Sequence, residues 1–318
     1  MRAIVTGISG QDGFYMARLL TGRGCAVLGL TSGDPGRTAA DLARDGLENI
    51  KVAAFDYGAQ GRFSDVVSSF EPDLVFNFAA KATGQGMFDA PFEMSRINGG
   101  LVLDILEAIR SSPRAGHIRF CQASSAEMYG RVNVCPQDED VPFMPRSPYG
   151  AAKLYGHQLV DIYRRTYGLK CASAILYNHE SIRRSERFVT RKIAKGAADI
   201  KKGRARELQL GDLSASRDWG YAPEYVEAMY LMATAEVPED YVVATGRLNT
   251  IEYLCQIAFD QVDLDYRQFV RSGAADFRVA DSINLCGNPA RIRDRLGWQA
   301  HVPVEDVMKE MVDHEMRD

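Results

Sequence analysis

Residues 6–13 read Thr6-Gly7-Ile8-Ser9-Gly10-Gln11-Asp12-Gly13, and the fold turns on them. A short apolar run at residues 3–6 precedes them and an amphipathic stretch at 14–22 follows. That order spells strand, turn, helix. Gly7, Gly10 and Gly13 give G-x-x-G-x-x-G, a relative of the dinucleotide fingerprint with a wider first gap. Glycines there permit a tight turn and close backbone approach to a pyrophosphate, while the free N–H groups of the helix start attract anions. A lone glycine pattern recurs by chance, so its weight comes from context.

The context is an alternating series. Apolar runs at 26–31, 51–55, 74–78, 118–123 and 171–177 read as further strands, with helical patterns at 99–111 and 150–167 between them. Strands alternating with helices predict a parallel sheet of the α/β, doubly wound (Rossmann) class. Leu74-Val75-Phe76-Asn77-Phe78 is apolar almost throughout, which fits a strand covered on both faces. Residues 1–177 are expected to form this dinucleotide-binding domain. A smaller, interleaved region at 178–318 is richer in arginine and irregular turns and is expected to bind substrate. Residues 239–246 look like a strand returning to the first domain, and 290–296 like a helix after the turn Gly287-Asn288-Pro289.

With 318 residues the chain can bury a substantial core. A net charge of -4 leaves no electrostatic footprint for nucleic acid or an anionic membrane, so an anionic substrate must meet a few local cations. No apolar run is long enough to cross a bilayer, and Met1-Arg2-Ala3-Ile4 enters a strand without a secretory leader. The six cysteines have no metal-type spacing; Cys121 and Cys171 read as small core residues. A cytoplasmic enzyme is expected, and a homodimer is the default oligomer by symmetry.

Cofactor choice should be set after the second strand, where an acid suits the ribose 2′-hydroxyl of NAD and a base the 2′-phosphate of NADP. The strand ends Leu30-Thr31-Ser32-Gly33, with Asp34 late and Arg37 nearby, which leans toward NADP while leaving NAD open. Asp56, after the third strand, stands either to meet the adenine or to cap its own loop. Tyr149 and Lys153 in Tyr149-Gly150-Ala151-Ala152-Lys153 share one helix face. A phenol is a poor base at neutral pH unless a neighbouring ammonium stabilises its anion. Such pairs are common on helices. Ser125 and Glu127, beyond the strand at 118–123, alter the balance: a hydroxyl there can share a substrate oxygen with Tyr149, and a carboxylate can move a proton.

These stretches, with further ones downstream, resemble the GDP-mannose 4,6-dehydratases, a family of extended short-chain dehydrogenase/reductases. The matching runs are TGISGQDG (6–13), QASSAEMYG (122–130), PRSPYGAAKLY (145–155), YNHESIRRSERFVTRKI (177–193), LGDLSASRDWGYAPEYVEAM (210–229) and GNPARIRDRLGW (287–298). The resemblance implies that Tyr149 removes the C4 hydroxyl proton of a GDP-sugar and that Lys153 tunes it. It further implies that Ser125 replaces the family threonine and that Glu127 removes the C5 proton. Gly7, Gly10, Gln11, Asp12, Gly13, Arg37, Asp56, Ala79, Tyr149 and Lys153 would hold the cofactor. Lys81, Asn178, Val189, Lys192, Arg217 and Arg278 would hold the substrate; guanidinium groups suit phosphates independently of any family. His179 is expected to be structural, and Trp219 and Trp298 to lie in the core.

Four departures bear on the activity. The family's arginine pair after the second strand is replaced by residues 31–34, Lys81-Ala82-Thr83-Gly84 replaces a Gln-Ser-His-Val type run, an insertion before Arg278 is missing, and Ala126 replaces a serine. Two other readings compete: a GDP-sugar epimerase or 4-keto reductase, and a catalytically idle NAD(P)-binding sensor. Retention of Ser125, Glu127, Tyr149 and Lys153 together speaks against the second.

Overall fold

The computed structural model describes residues 1–59, 61–81, 88, 90–273 and 284–317. Among these, the strands are β1 (Arg2–Thr6), β2 (Ala26–Thr31), β3 (Lys51–Ala54), β4 (Leu74–Asn77), β5 (Arg119–Ala123), β6 (Lys170–Leu176), β7 (Asn178–Glu180), β8 (Leu208–Leu210), β9 (Ser216–Tyr221), β10 (Tyr241–Val243), β11 (Leu248–Thr250) and β12 (Val270–Ser272). Seven of them build one sheet in the order β10-β6-β5-β4-β1-β2-β3, every neighbouring pair parallel. This is the doubly wound order, with the chain reversing direction across the sheet between β1 and β4. The expected strand near residue 240 is present, with Tyr241 opposite Ala174.

Alternation along the strands explains why both faces are apolar. In β1, Ala3 and Val5 join one core and Ile4 the other; in β5, Cys121 and Ala123 divide from Phe120 in the same way. Phe14, Met16 and Leu20 of the helix Gln11–Gly22, with Tyr225, Met229 and Met232 of Ala222–Thr234, cover the first face. Leu101 and Ile105 of Leu101–Arg110, with Val160 and Tyr163 of Pro148–Tyr167, cover the second. Each fully buried Leu, Ile or Phe stabilises the fold by about 1.5–3 kcal/mol, so these two layers set the sheet's rigidity.

The later part of the chain is more regular than its sequence suggests. Helices Val189–Lys201, Ile251–Asp260 and Val304–Arg317 enclose a third core around Trp219, Phe259, Met308 and Met311. Small antiparallel and parallel pairings join β11, β9 and β7, and β12 pairs with β8. Trp298 packs in the first core, edge-on to Tyr225. No helix among the described residues is long and apolar enough to cross a membrane.

Candidate active site

The glycine turn forms where β1 hands over to the helix Gln11–Gly22. Gly7 sits at φ +66°, and a Cβ there would lie 2.9 Å from the Ala79 nitrogen. A Cβ on Gly13 would stand 2.2 Å from the Gly7 carbonyl oxygen. Side chains at either position would fill the turn, so a close backbone cradle is what these glycines build. The Gly10 amide donates to the Gly7 carbonyl at 2.9 Å, and no side chain caps the helix that follows. Such a cradle fits the pyrophosphate of a dinucleotide, with Ala79 at its edge.

The side chains of Gln11 and Asp12 turn elsewhere. Gln11 donates to the His179 carbonyl at 3.0 Å and accepts from Ser181 at 2.8 Å, while Asp12 Oδ1 lies 3.0 Å from His179 Nε2. Burial pushes the Asp12 carboxyl up, but His179, Gln11 and Arg184 together outweigh it and the net shift is down; burial opposes and Asp12 raises His179. His179 also meets the Tyr177 carbonyl at 2.7 Å, in keeping with its expected structural role. The anion-binding groups this turn offers are therefore backbone amides. Tyr57, which sequence reading passed over, braces it: its hydroxyl accepts from the Gly7 amide at 2.7 Å and donates to the Leu30 carbonyl at 2.6 Å.

A buried polar chain links this turn to the lysine. Thr6 donates to Asn77 at 2.5 Å, Asn77 to Gln122 at 2.7 Å, and Gln122 to the Ala123 carbonyl at 2.7 Å. Lys153 Nζ donates to that same carbonyl at 2.8 Å. Nothing in single-residue patterning marks these amides, because each looks like an isolated polar residue in an apolar strand.

Beyond β5 the strand alternation continues. Ser124 turns inward to Ser173, 2.7 Å away, which in turn meets His157 at 2.8 Å. Ser125 thus faces the other way and caps the short turn Ala126–Met128, accepting from the Glu127 amide at 3.2 Å. Opposite, Ser147 caps the helix Pro148–Tyr167 by accepting from Gly150 at 3.0 Å, and Pro148 presets its first turn. That helix start presents Tyr149, close enough to Ser125 for the serine hydroxyl to hold the phenol down against burial. Lys153 Nζ lies 5.9 Å from the Tyr149 ring centre.

Burial pushes the Tyr149 phenol up to about 12, with the Glu127 charge adding to it and Ser125 and Arg184 opposing. Burial pulls Lys153 down to about 8, opposed by Asp12. Each charge alone is disfavoured; a phenolate beside an ammonium relieves both. Glu127 is part-exposed, and Arg146 Nη2 stands 3.9 Å from its carboxylate. Arg146 also escaped the sequence reading, although it lies three residues before Tyr149 within the PRSPY run.

The remaining residues are spread more widely. Arg37 is exposed in the first turn of the helix Pro35–Arg44, where Asp34 is the N-cap, accepting from the Arg37 amide at 2.8 Å. One oxygen of Asp56 accepts from the Gly58 amide at 2.8 Å, so the loop-capping role is present. Lys81 pairs with Glu93, and its amide donates to Asn98 at 2.8 Å. Asn178 is exposed at the start of β7, which runs beside β9, the strand of Arg217. Arg217 donates to the Ser216 carbonyl at 2.8 Å. Val189 and Lys192 lie in the first turn of Val189–Lys201, Lys192 exposed. Arg278 lies outside the described residues.

A sequence model of the GDP-mannose 4,6 dehydratase family matches residues 4–311. The chain belongs to the GDP-mannose 4,6-dehydratase family. Among its relatives, GDP-mannose 4,6 dehydratase 2 of Arabidopsis thaliana is 38% identical, over 99% of this chain and 86% of that protein. GDP-mannose 4,6 dehydratase 2 of Caenorhabditis elegans is 35% identical, over 98% and 87%. In three dimensions the chain resembles UDP-glucose 4-epimerase of Thermotoga maritima, with TM-score 0.86, 23% identity and coverage of 100% and 99%. It is similar too to dTDP-glucose 4,6-dehydratase of Bacillus anthracis in complex with NAD, with TM-score 0.83, 17% identity and coverage of 100% and 97%. These structural likenesses show that this GDP-mannose 4,6-dehydratase family member has the fold of the epimerase and dehydratase group. The family is NAD(P)-dependent, which agrees with the glycine cradle.

Proposed function

We infer that this chain is a GDP-sugar 4,6-dehydratase, acting on GDP-mannose or a close relative and yielding the 4-keto-6-deoxy sugar. The observation that carries it is the meeting of Ser125, Glu127, Tyr149 and Lys153 around the C-terminal ends of β5 and the neighbouring helix start in a member of this family. A nicotinamide held beside Tyr149 and Lys153 would supply reversible hydride transfer to the sugar. Tyr149 takes the C4 hydroxyl proton, Ser125 holds the same oxygen, and Lys153 offsets the phenolate charge. A C4 ketone acidifies C5, so the Glu127 carboxylate takes the C5 proton and passes it to the departing C6 hydroxyl, which leaves as water, and the proton held by Tyr149 then restores C5. The net change is loss of one water with no net use of nicotinamide.

Gly7, Gly10, Gly13, Ala79 and the amides of Gln11 and Asp12 would hold the cofactor, together with Tyr149, Lys153 and Asp56. NADP is favoured over NAD because Asp34 is spent as a helix cap and Arg37 is exposed nearby. The GDP is held by Asn178, Val189, Lys192, Arg217 and Arg278, with Lys81 toward the sugar. Residues 178–318 supply that binding region, apart from the returning strand at 239–246. A homodimer is supported by Phe92, Tyr155 and Ile162, which are exposed at 86%, 47% and 49% on the adjacent helices Pro91–Ser95 and Pro148–Tyr167. Light scattering tests that assembly. A cytoplasmic setting is supported by unpaired cysteines at 25, 121, 171 and 255, all buried.

The test is incubation with GDP-mannose and catalytic NADP, followed by mass spectrometry. A product lighter by one water, with nicotinamide unchanged at the end, supports a dehydratase. Net accumulation of oxidised or reduced nicotinamide points to a reductase, and no product from any GDP-sugar removes the reading.

A further inference from the structure

Arg146 is a charged side chain only 9% exposed, and its Nη1 has no hydrogen-bond partner among the described residues. A buried, unsatisfied guanidinium nitrogen is costly, so its presence asks for a compensating task. Its other terminal nitrogen lies 3.9 Å from Glu127 Oε2, close enough for charge attraction but beyond a good hydrogen bond.

The backbone around the pair is held tightly. Gly130, at φ +53°, passes so near the 144–146 segment that a Cβ would lie 2.1 Å from the Met144 carbonyl oxygen and 2.9 Å from the Arg146 nitrogen. Arg131 donates its amide to that same Met144 carbonyl at 3.0 Å. Gly150, at the start of the Tyr149 helix, approaches the Glu127 carbonyl so closely that a Cβ would stand 2.6 Å from it. Three segments, those of Glu127, Arg146 and Tyr149, are thus locked into one unit. The charge of Arg146 is delivered to Glu127 and not to solvent.

We propose that Arg146 is a positioning residue for the elimination half of the reaction, aiming the Glu127 carboxylate at C5 through its fixed guanidinium. The proposal rests on Glu127 being the C5 base. A buried guanidinium on the tightly held 144–146 backbone suits this task better than an ammonium on a flexible stem, because it fixes where the attracting charge stands beside the carboxylate. Misplacing a catalytic group by about 1 Å can cost on the order of 10²-fold in rate. C4 oxidation, which runs through Tyr149, is spared.

The experiment compares Arg146→Ala, Arg146→Lys and Glu127→Gln with the native enzyme, using GDP-mannose and bound NADP. Three quantities are read: steady-state kcat and KM, transient nicotinamide reduction in a single turnover, and exchange of the C5 hydrogen with deuterated water. Arg146→Ala should keep transient reduction while kcat and C5 exchange fall on the order of 10²-fold with KM changed less than about threefold. Added guanidinium should restore part of the lost rate, which no purely structural role predicts. If Arg146→Ala fails to fold, Arg146→Lys decides: a fall in kcat of about tenfold with transient reduction intact supports the assignment. Native kcat in either variant overturns it, as does a loss of oxidation and elimination together that guanidinium leaves unchanged. Normal C5 exchange in Glu127→Gln would instead overturn the role of Glu127 itself, a failure separable from that of Arg146.

Discussion

Gln122 and Lys153 donate to a single acceptor, the Ala123 carbonyl oxygen, at 2.7 and 2.8 Å. The ammonium is therefore anchored to the end of β5, and burial holds its pKa near 8 against an ordinary 10.5. Between those two values the unfolded chain binds the proton that the folded chain has lost, so this group makes stability rise with pH. In the cofactor-free protein, the native chain should gain about 3 kcal/mol over Lys153→Met between pH 8 and 10.5. Urea titrations across that range check it; a constant difference would contradict the buried, depressed lysine.

Gly13→Ala should abolish cofactor binding, since the added carbon would lie 2.2 Å from the Gly7 carbonyl oxygen. The helix can yield only by moving away from β1, which opens the cradle. Nicotinamide-nucleotide affinity by calorimetry should fall by at least 10²-fold, roughly 3 kcal/mol. Affinity within a few-fold of native would show that the turn does not hold the pyrophosphate.

Tyr149→Phe and Glu127→Gln should stop the reaction at different points. The phenylalanine variant should show no transient nicotinamide reduction, with kcat lowered by about 10²–10⁴-fold. The glutamine variant should bind cofactor, reduce it transiently and release little dehydrated sugar. Stopped-flow absorbance and mass spectrometry separate the two outcomes. Ordinary turnover by either variant would dismiss that residue from its role.

His179→Gln should lower stability most in mild acid. The His179 pKa is raised in the folded chain by Asp12, after burial has opposed it. Its contribution is therefore complete below the unfolded value of about 6.5 and fades as pH climbs through the folded value. A deficit of about 2 kcal/mol near pH 5.5, shrinking above neutrality, is expected for a charge-assisted bond. A deficit independent of pH would mean that the stacking of His179 on Tyr225, at 4.6 Å, matters more than its charge.

What could be read from the chain depended on whether a residue announces itself locally. The glycine turn did, because steric demand at Gly7 and Gly13 admits few substitutes, and the strands did, because Ala3, Ile4 and Val5 repeat the two-sided burial of a covered sheet. Tyr149 and Lys153 were legible through helical spacing. Thr6, Asn77 and Gln122 were not, since their significance is a set of contacts between residues 45 and 71 positions apart. Helices such as Val304–Arg317 escaped for a different reason: their apolar face is completed by Trp219 and Phe259, far away in the sequence. Asp56 offered two readings, and its bond to Gly58 supplies the plainer one.

The hydrogen bonds of β10 with β6 impose an order on biosynthesis. A nascent chain that has emerged only as far as Tyr177 presents β6 as a raw edge, with its outer N–H and C=O groups open to any passing strand. More than sixty residues must be translated before Tyr241–Val243 arrives to cover it. Ribosome-stalled intermediates in that interval should be the species most prone to stick to one another, and the ones that chaperones hold.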